Sequence, residues 1–110
     1  MNTSIKTSYG KGVLFDDDGF LRNPEDWNED LAIRIARHDG IGDLNEDHWH
    51  IIRYLRAHFM ANHTIPVRRQ VCRDNHLDDH CVPRLFGKSI REAWRIAGLP
   101  DPGEEAKSYM

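Results

Sequence analysis

Apolar residues recur along most of this chain with the spacing of a helix rather than of a strand. Trp27, Leu31 and Ile35 stand at i, i+4 and i+8, which puts them on one face of a helix. Asn23 is a good N-cap, Pro24 suits the first helical position, and Glu25 and Asp26 suit the positive end of a helix dipole. The pattern predicts a first helix over 24–38, ended by Gly40. Asn45 caps a second helix, with Glu46 and Asp47 in its first turn and Trp49, Ile51, Ile52, Leu55 and Phe59 on its buried side. Residues 62–65 break it, and Pro66 opens a third helix through Val67, Val71 and Cys72. Residues 77–86 read as a short, irregular helix, because Pro83 interrupts it. The last helix carries the strongest signals: Ser89 and Glu92 form a capping box, and Ile90, Ala93, Trp94 and Ala97 make one apolar stripe. Gly98 fits the left-handed position that ends a helix, and Pro100 prevents its resumption.

The two ends read differently. Residues 4–9 and 13–15 flank Gly10-Lys11-Gly12, a spacing that predicts a small β-hairpin. Asp16-Asp17-Asp18-Gly19 is a turn. It is not a calcium loop of the EF-hand kind, since Trp27 stands at the twelfth position, where that loop needs a Glu. Residues 103–110 have no apolar period and read as a flexible tail after a domain over 1–102. The predicted fold is therefore mainly α, or α+β: a small N-terminal hairpin, about five helices and a mobile C-terminal arm. Trp27, Leu31, Trp49, Ile52, Phe59, Val71, Leu85 and Trp94 are its predicted core.

Composition adds limits. A chain of 110 residues, 39% hydrophobic and 30% charged, is one modest globular domain. No apolar run approaches the ~20 residues of a membrane helix, and the N-terminus has no signal-peptide apolar region, so the expected location is the cytoplasm. Two cysteines, Cys72 and Cys81, do not form the disulfide framework of a small secreted protein. The net charge of −3 conceals an acidic front and a basic back: residues 1–50 balance to −6 and residues 51–100 to +5. Such an asymmetry is either a solvated surface or a face for an anionic partner.

Three stretches carry a family resemblance. The first is Arg95-Ile-Ala-Gly-Leu-Pro-Asp-Pro102 before a short C-terminal arm; the second runs from Phe15 through the Asp turn to Asn23-Pro24-Glu25-Asp26-Trp27. The third comprises Leu44 to Trp49, Tyr54-Leu55-Arg56 and Ile65-Pro66-Val67-Arg68. Together they resemble the DsrC/TusE family, sulfur-relay proteins that include the gamma subunit of dissimilatory sulfite reductase. The resemblance covers about 14–102. It implies a helical fold with a helix-turn-helix-like element, and an arm whose penultimate Cys carries sulfur, with a second Cys before the Gly-Leu-Pro run in one branch. Here the corresponding positions are Glu105 and Trp94, so the resemblance implies the fold without the arm's thiol chemistry. It also implies arm-docking or partner-docking roles for arginines, here Arg68 and Arg91.

Other residues are weighed beside this. Cys72, His76 and His80 stand at i, i+4 and i+8, with Cys81 adjacent. On one helix they would span about 12 Å, too far for a single zinc ion, and no metal or cofactor is predicted. Cys81, and after it Cys72, are the candidates for a relocated sulfur-carrying thiol, Cys81 having His80 and Arg84 nearby to favour its thiolate. Arg91 and Arg95, spaced by four, share a helical face that suits phosphates, solvent or the carboxylates of the tail. A helix-turn-helix can be drawn over 66–97, which makes DNA a candidate partner. No hydrolase or transferase motif is present. Three functions follow: a binding or regulatory variant that meets the protein partners of a sulfur-relay or sulfite reductase system, a sulfur carrier using Cys81 or Cys72, and a DNA-binding regulator.

Overall fold

The computed structural model describes residues 13–108 and Met110. Glu29–His38 form α1, Glu46–Asn62 α2, Arg68–Asp74 α3, Cys81–Phe86 α4 and Ile90–Ile96 α5, with α6, Glu104–Lys107, in the arm. The mainly helical reading is thus shown. The first strand and glycine turn of the expected hairpin lie outside the described residues. Its second segment does not make a strand among the described residues, where Phe15 and Leu21 form an isolated antiparallel bridge. Between those two residues Asp16 organises the turn, its Oδ1 accepting the N–H of Asp18 and of Phe20, each at 2.9 Å.

The predicted helix over 24–38 is two pieces. Asn23 caps a 3-10 turn, Pro24–Asp26, and Trp27 is then extended. This turn of the chain lets the Trp27 indole N–H reach the Ile96 carbonyl at 2.8 Å. Asn28 starts the chain again as a helix, its side chain accepting the N–H of Leu31 at 2.8 Å. Gly40, at φ +81°, ends α1 with bonds from Gly40 N–H to the Arg37 carbonyl and from Ile41 N–H to that of Ala36.

Asn45 caps α2 as predicted, with an unexpected partner. The cap is reciprocated by His48, whose Nδ1 accepts the Asn45 N–H at 3.0 Å. His48 is buried; its Nε2 lies 2.7 Å from the Leu85 carbonyl and donates to it, so both ring nitrogens are used. The inner face of α2 is His48, Ile51, Ile52 and Leu55, while Trp49 and Phe59, expected in the core, are half-buried at its edge. α3 starts two residues later than expected, after Val67. Pro83 does not interrupt a helix over 77–86: α4 begins at Cys81, which places the proline in the first turn, where a missing N–H costs no helical bond.

α5 follows the sequence closely. Ser89 Oγ accepts the Arg91 N–H at 3.1 Å and the Glu92 carboxylate accepts the Ser89 N–H at 3.0 Å. Ile90, Ala93, Trp94 and Ala97 are all buried. This helix is the hub of the body, packing against α1, α2 and α4. Of the other predicted core residues, Leu31, Ile52, Val71 and Leu85 are buried and Trp27 is half-buried.

Candidate functional site: the arm and its seat

The arm leaves the body at the end of α5. Gly98 has φ +70°, and the N–H groups of Gly98 and Leu99 turn back onto the carbonyls of Arg95 and Trp94. Leu99 is buried. Trp94, wholly buried and edge-on to Phe59, then donates its indole N–H to the Pro100 carbonyl at 2.7 Å. The arm's root is thus pinned from below by the residue that directs the packing of α5.

Past the root, charges fasten the chain. Asp101 Oδ1 accepts the Gly103 N–H at 2.7 Å. Lys107 Nζ donates to Asp101 Oδ2 at 2.9 Å and to Asp18 Oδ2 at 2.7 Å, which ties the arm to the acidic turn. Arg91 reaches the same turn, donating to the Asp18 carbonyl at 3.2 Å and lying over the Phe20 ring. Asp18 is therefore shared by the arm and by α5. Beyond this clamp, Ala106 and Met110 line an apolar cleft of about 410 Å³ together with Ile65, Pro66, Val67, Arg68 and Ile90. Glu105 is exposed and lines a shallower groove with His63, Thr64, Ile65 and Val67.

The clamp has a defined pH range. The Gly103 N–H, and after it Lys107, hold the Asp101 carboxyl below its ordinary 3.8. Asp18, and after it Asp101, hold the Lys107 ammonium above its ordinary 10.5. A depressed carboxyl stabilises the docked arm above 3.8 and loses that contribution as pH falls through its lower folded value. A raised ammonium contributes fully below 10.5 and loses that as pH rises through its higher folded value. The clamp's ionic contribution is therefore full across the neutral range and declines in acid. In an NMR titration the amides of Ala106 and Ser108 should move to random-coil positions with a midpoint under 3.8 while the core signals stay. Lys107→Gln should free the arm at neutral pH, and unchanged arm signals in that variant would show that the clamp does not hold it.

The other candidates lie elsewhere. Arg95 donates from Nε to the Gly19 carbonyl at 3.0 Å and pairs with Asp39, so it joins the acidic turn to the end of α1. Both members of the α5 arginine face are thus engaged within the chain, to the acidic turn rather than to tail carboxylates, and the DNA reading loses two of its cations. The 66–97 span drawn as a helix-turn-helix holds three short helices, α3, α4 and α5. Cys72 and Cys81 are both buried and are bonded to each other, with Cα atoms 5.8 Å apart. This corrects their reading as thiols: neither is free, and the cationic neighbours foreseen for Cys81 have no thiolate to favour. His76 falls in the connection between them and His80 immediately before α4; among the described residues no three His, Cys, Asp or Glu side chains gather where a metal ion would sit. Sequence reasoning missed Lys107, Asp101 and Asp18, whose association crosses 89 positions of chain. It also missed Arg56, which donates to the carbonyls of Ala97 and Pro24 and lies 4.2 Å over the Trp27 ring.

A helical body built on its last helix, with a hinged arm folded onto an acidic turn, defines a small domain whose arm is its distinguishing feature and which bears no exposed thiol among its described residues. The chain belongs to the DsrC-like protein family, whose pattern matches residues 7–104. Sulfurtransferase TusE of Escherichia coli (strain K12) is 32% identical over 101 residues, covering 84% of this chain and 92% of the relative. The oxidized gamma-subunit of the dissimilatory sulfite reductase (DsrC) from Archaeoglobus fulgidus superposes with a TM-score of 0.75 at 31% identity, covering 94% of this chain and 98% of that one. Allochromatium vinosum DsrC gives a TM-score of 0.74 at 28% identity, with the same coverage. Among the described residues no helix is long and apolar enough to cross a membrane.

Proposed function

We propose that this chain is a docking or regulatory member of the DsrC-like family, one that meets the protein partners of a cytoplasmic sulfur-relay or sulfite reductase system without carrying sulfur on its arm, and that it is not itself an enzyme. One observation carries the reading: residues 99–110 contain no cysteine, and the chain's two cysteines are buried in a single bond. A sulfur carrier needs a thiolate with reach; here the arm carries no thiol, and the body's sulfurs have neither exposure nor freedom. What remains for partners is shape and charge, namely the arm surface around Glu105, the Arg68 rim of the apolar cleft and the acidic turn held by Arg91. Glu105 places a carboxylate where the resemblance puts a thiolate or persulfide, so it presents the anion without the cargo.

The names of the relatives favour the alternative, a carrier that uses Cys81 or Cys72 after their bond is opened. Intact-mass spectrometry after incubation with a persulfide donor and a sulfurtransferase separates the two. The wild type should gain no sulfur, and Glu105→Cys should gain one sulfur atom on the arm. A gain by the wild type that disappears in Cys81→Ser or Cys72→Ser would establish the carrier instead.

A further inference from the structure

We propose that the Cys72–Cys81 bond is a redox-sensitive fastening that sets the order of α3 and α4 and, through the wall of residues 65–68 that α3 anchors, the docking of the arm. The two helices it joins have little stability of their own. α3 has seven residues and α4 six, and neither start, at Val67 or at His80, is capped by a side-chain hydrogen bond. Helices this short do not persist alone. α3 also opens with Arg68 and Arg69 and has no acid in its first turn, which sets two cations against the positive end of its dipole. The connection between the helices holds His76 at φ +60°, a conformation unfavourable for a residue with a Cβ. The order of this corner therefore rests on packing around Val71, Val82 and Phe86, which are buried, on bonds from Tyr54 to Asp74 and from His48 to the Leu85 carbonyl, and on the covalent link between the helices.

The link bears on the arm by position. Ile65, Pro66 and Val67 run directly into Arg68, the first residue of α3, and with it line the apolar cleft that Ile90, Ala106 and Met110 also line. A corner that loosens moves that part of the lining, whereas α2, seventeen residues long and capped at Asn45, keeps its own backbone bonds and meets the corner through the His48–Leu85 and Tyr54–Asp74 contacts. Both sulfurs are buried, so local opening precedes any reaction. A dithiol reductant then completes it: one of its thiolates attacks a cysteine sulfur, the Cys72–Cys81 bond breaks, and the other cysteine leaves as a thiolate and takes up a proton. The reductant's second thiol displaces the mixed disulfide, so two electrons and two protons end on Cys72 and Cys81 and the reductant becomes a disulfide.

The consequence for partner docking rests on the reading of the arm given above; the structural coupling does not. Its test is hydrogen–deuterium exchange on three samples of the full chain: oxidised, reduced with dithiothreitol, and Cys72→Ala/Cys81→Ala, after thiol titration of the denatured oxidised protein. The oxidised protein should show no titratable thiol. Amides of α3, α4, Lys107 and Ser108 should exchange about 10-fold faster or more in the other two samples, with a smaller change in α2. Two free thiols in the oxidised sample, unchanged exchange in α3 and α4, loosening that stops short of the arm, or an equal rise in α2 would each overturn the proposal. Should the double variant fail to fold, the reduced wild type decides alone. A sulfur gain in the loading experiment leaves this result untouched, so the two readings fail separately.

Discussion

Gly98→Ala should cost the domain about 3–5 kcal/mol, combining backbone strain with overpacking. At φ +70° an alanine is already in a region unfavourable for L side chains, and its Cβ would lie 2.1 Å from Cδ1 and 2.5 Å from Cγ of Trp27. Whether such a collision is relieved depends on the freedom of the neighbour, and Trp27 has little. Its indole N–H is bonded to the Ile96 carbonyl, and the Arg56 guanidinium covers its ring while donating to Ala97 and Pro24 on either side. The glycine is required twice over, once by the turn into the arm and once by close approach. Urea denaturation of Gly98→Ala in wild-type and Trp27→Ala backgrounds separates the two: without the indole, the substitution should cost only the left-handed term, about 1–2 kcal/mol. Equal losses in both backgrounds would show that the collision relaxes away.

The same glycine shows how much of this protein is legible in its sequence. That Gly98 ends a helix follows from its place after an apolar stripe and before Pro100, a local relation. That it faces Trp27 depends on a contact between residues 71 positions apart, and nothing near either residue signals it. The pattern holds throughout. The caps at Asn23, Asn45 and Ser89 were readable because each cap and its target amide lie within three residues. The break at Trp27 was not, because its cause is the distant Ile96 carbonyl. Nor was the reciprocal His48 cap, since a capping box is sought as Ser or Thr with Glu or Gln. At the candidate site, the absence of arm thiols and the identity of Trp94 and Glu105 were plain from spacing and resemblance, while the clamp of Lys107 on Asp18 depends on how the arm folds back. The bond between Cys72 and Cys81 was missed for a different reason. Two cysteines nine residues apart read equally as metal ligands, as thiols or as part of a secreted framework, and spacing alone does not mark a single internal link.

Trp94→Cys is the sharpest test of what replaces the thiol chemistry at the root of the arm, and it should destabilise the domain by about 3 kcal/mol or more, in the range of large-to-small core substitutions. The substitution restores the residue type that the family resemblance puts at this position, so a position kept only by descent would accept it at little cost. The structure argues otherwise. The indole is wholly buried in the hub helix, meets Phe59 edge-on at 5.9 Å between ring centroids, and holds the Pro100 carbonyl at 2.7 Å. A thiol fills a small part of that volume and leaves the carbonyl without its donor. Trp94→Phe divides the effect, since it keeps most of the apolar volume and removes only the N–H. It should cost about 1–2 kcal/mol and should loosen Pro100 and Asp101 more than α5 in hydrogen exchange. If Trp94→Cys denatures at the wild-type midpoint, Trp94 is not the pin described here, and the arm's root must be held by the buried Leu99 alone. If it falls as expected and Trp94→Phe frees the root, then a site that the resemblance assigns to sulfur works in this chain as a structural anchor, and the arm's position is set by packing where its relatives' resemblance implies redox chemistry.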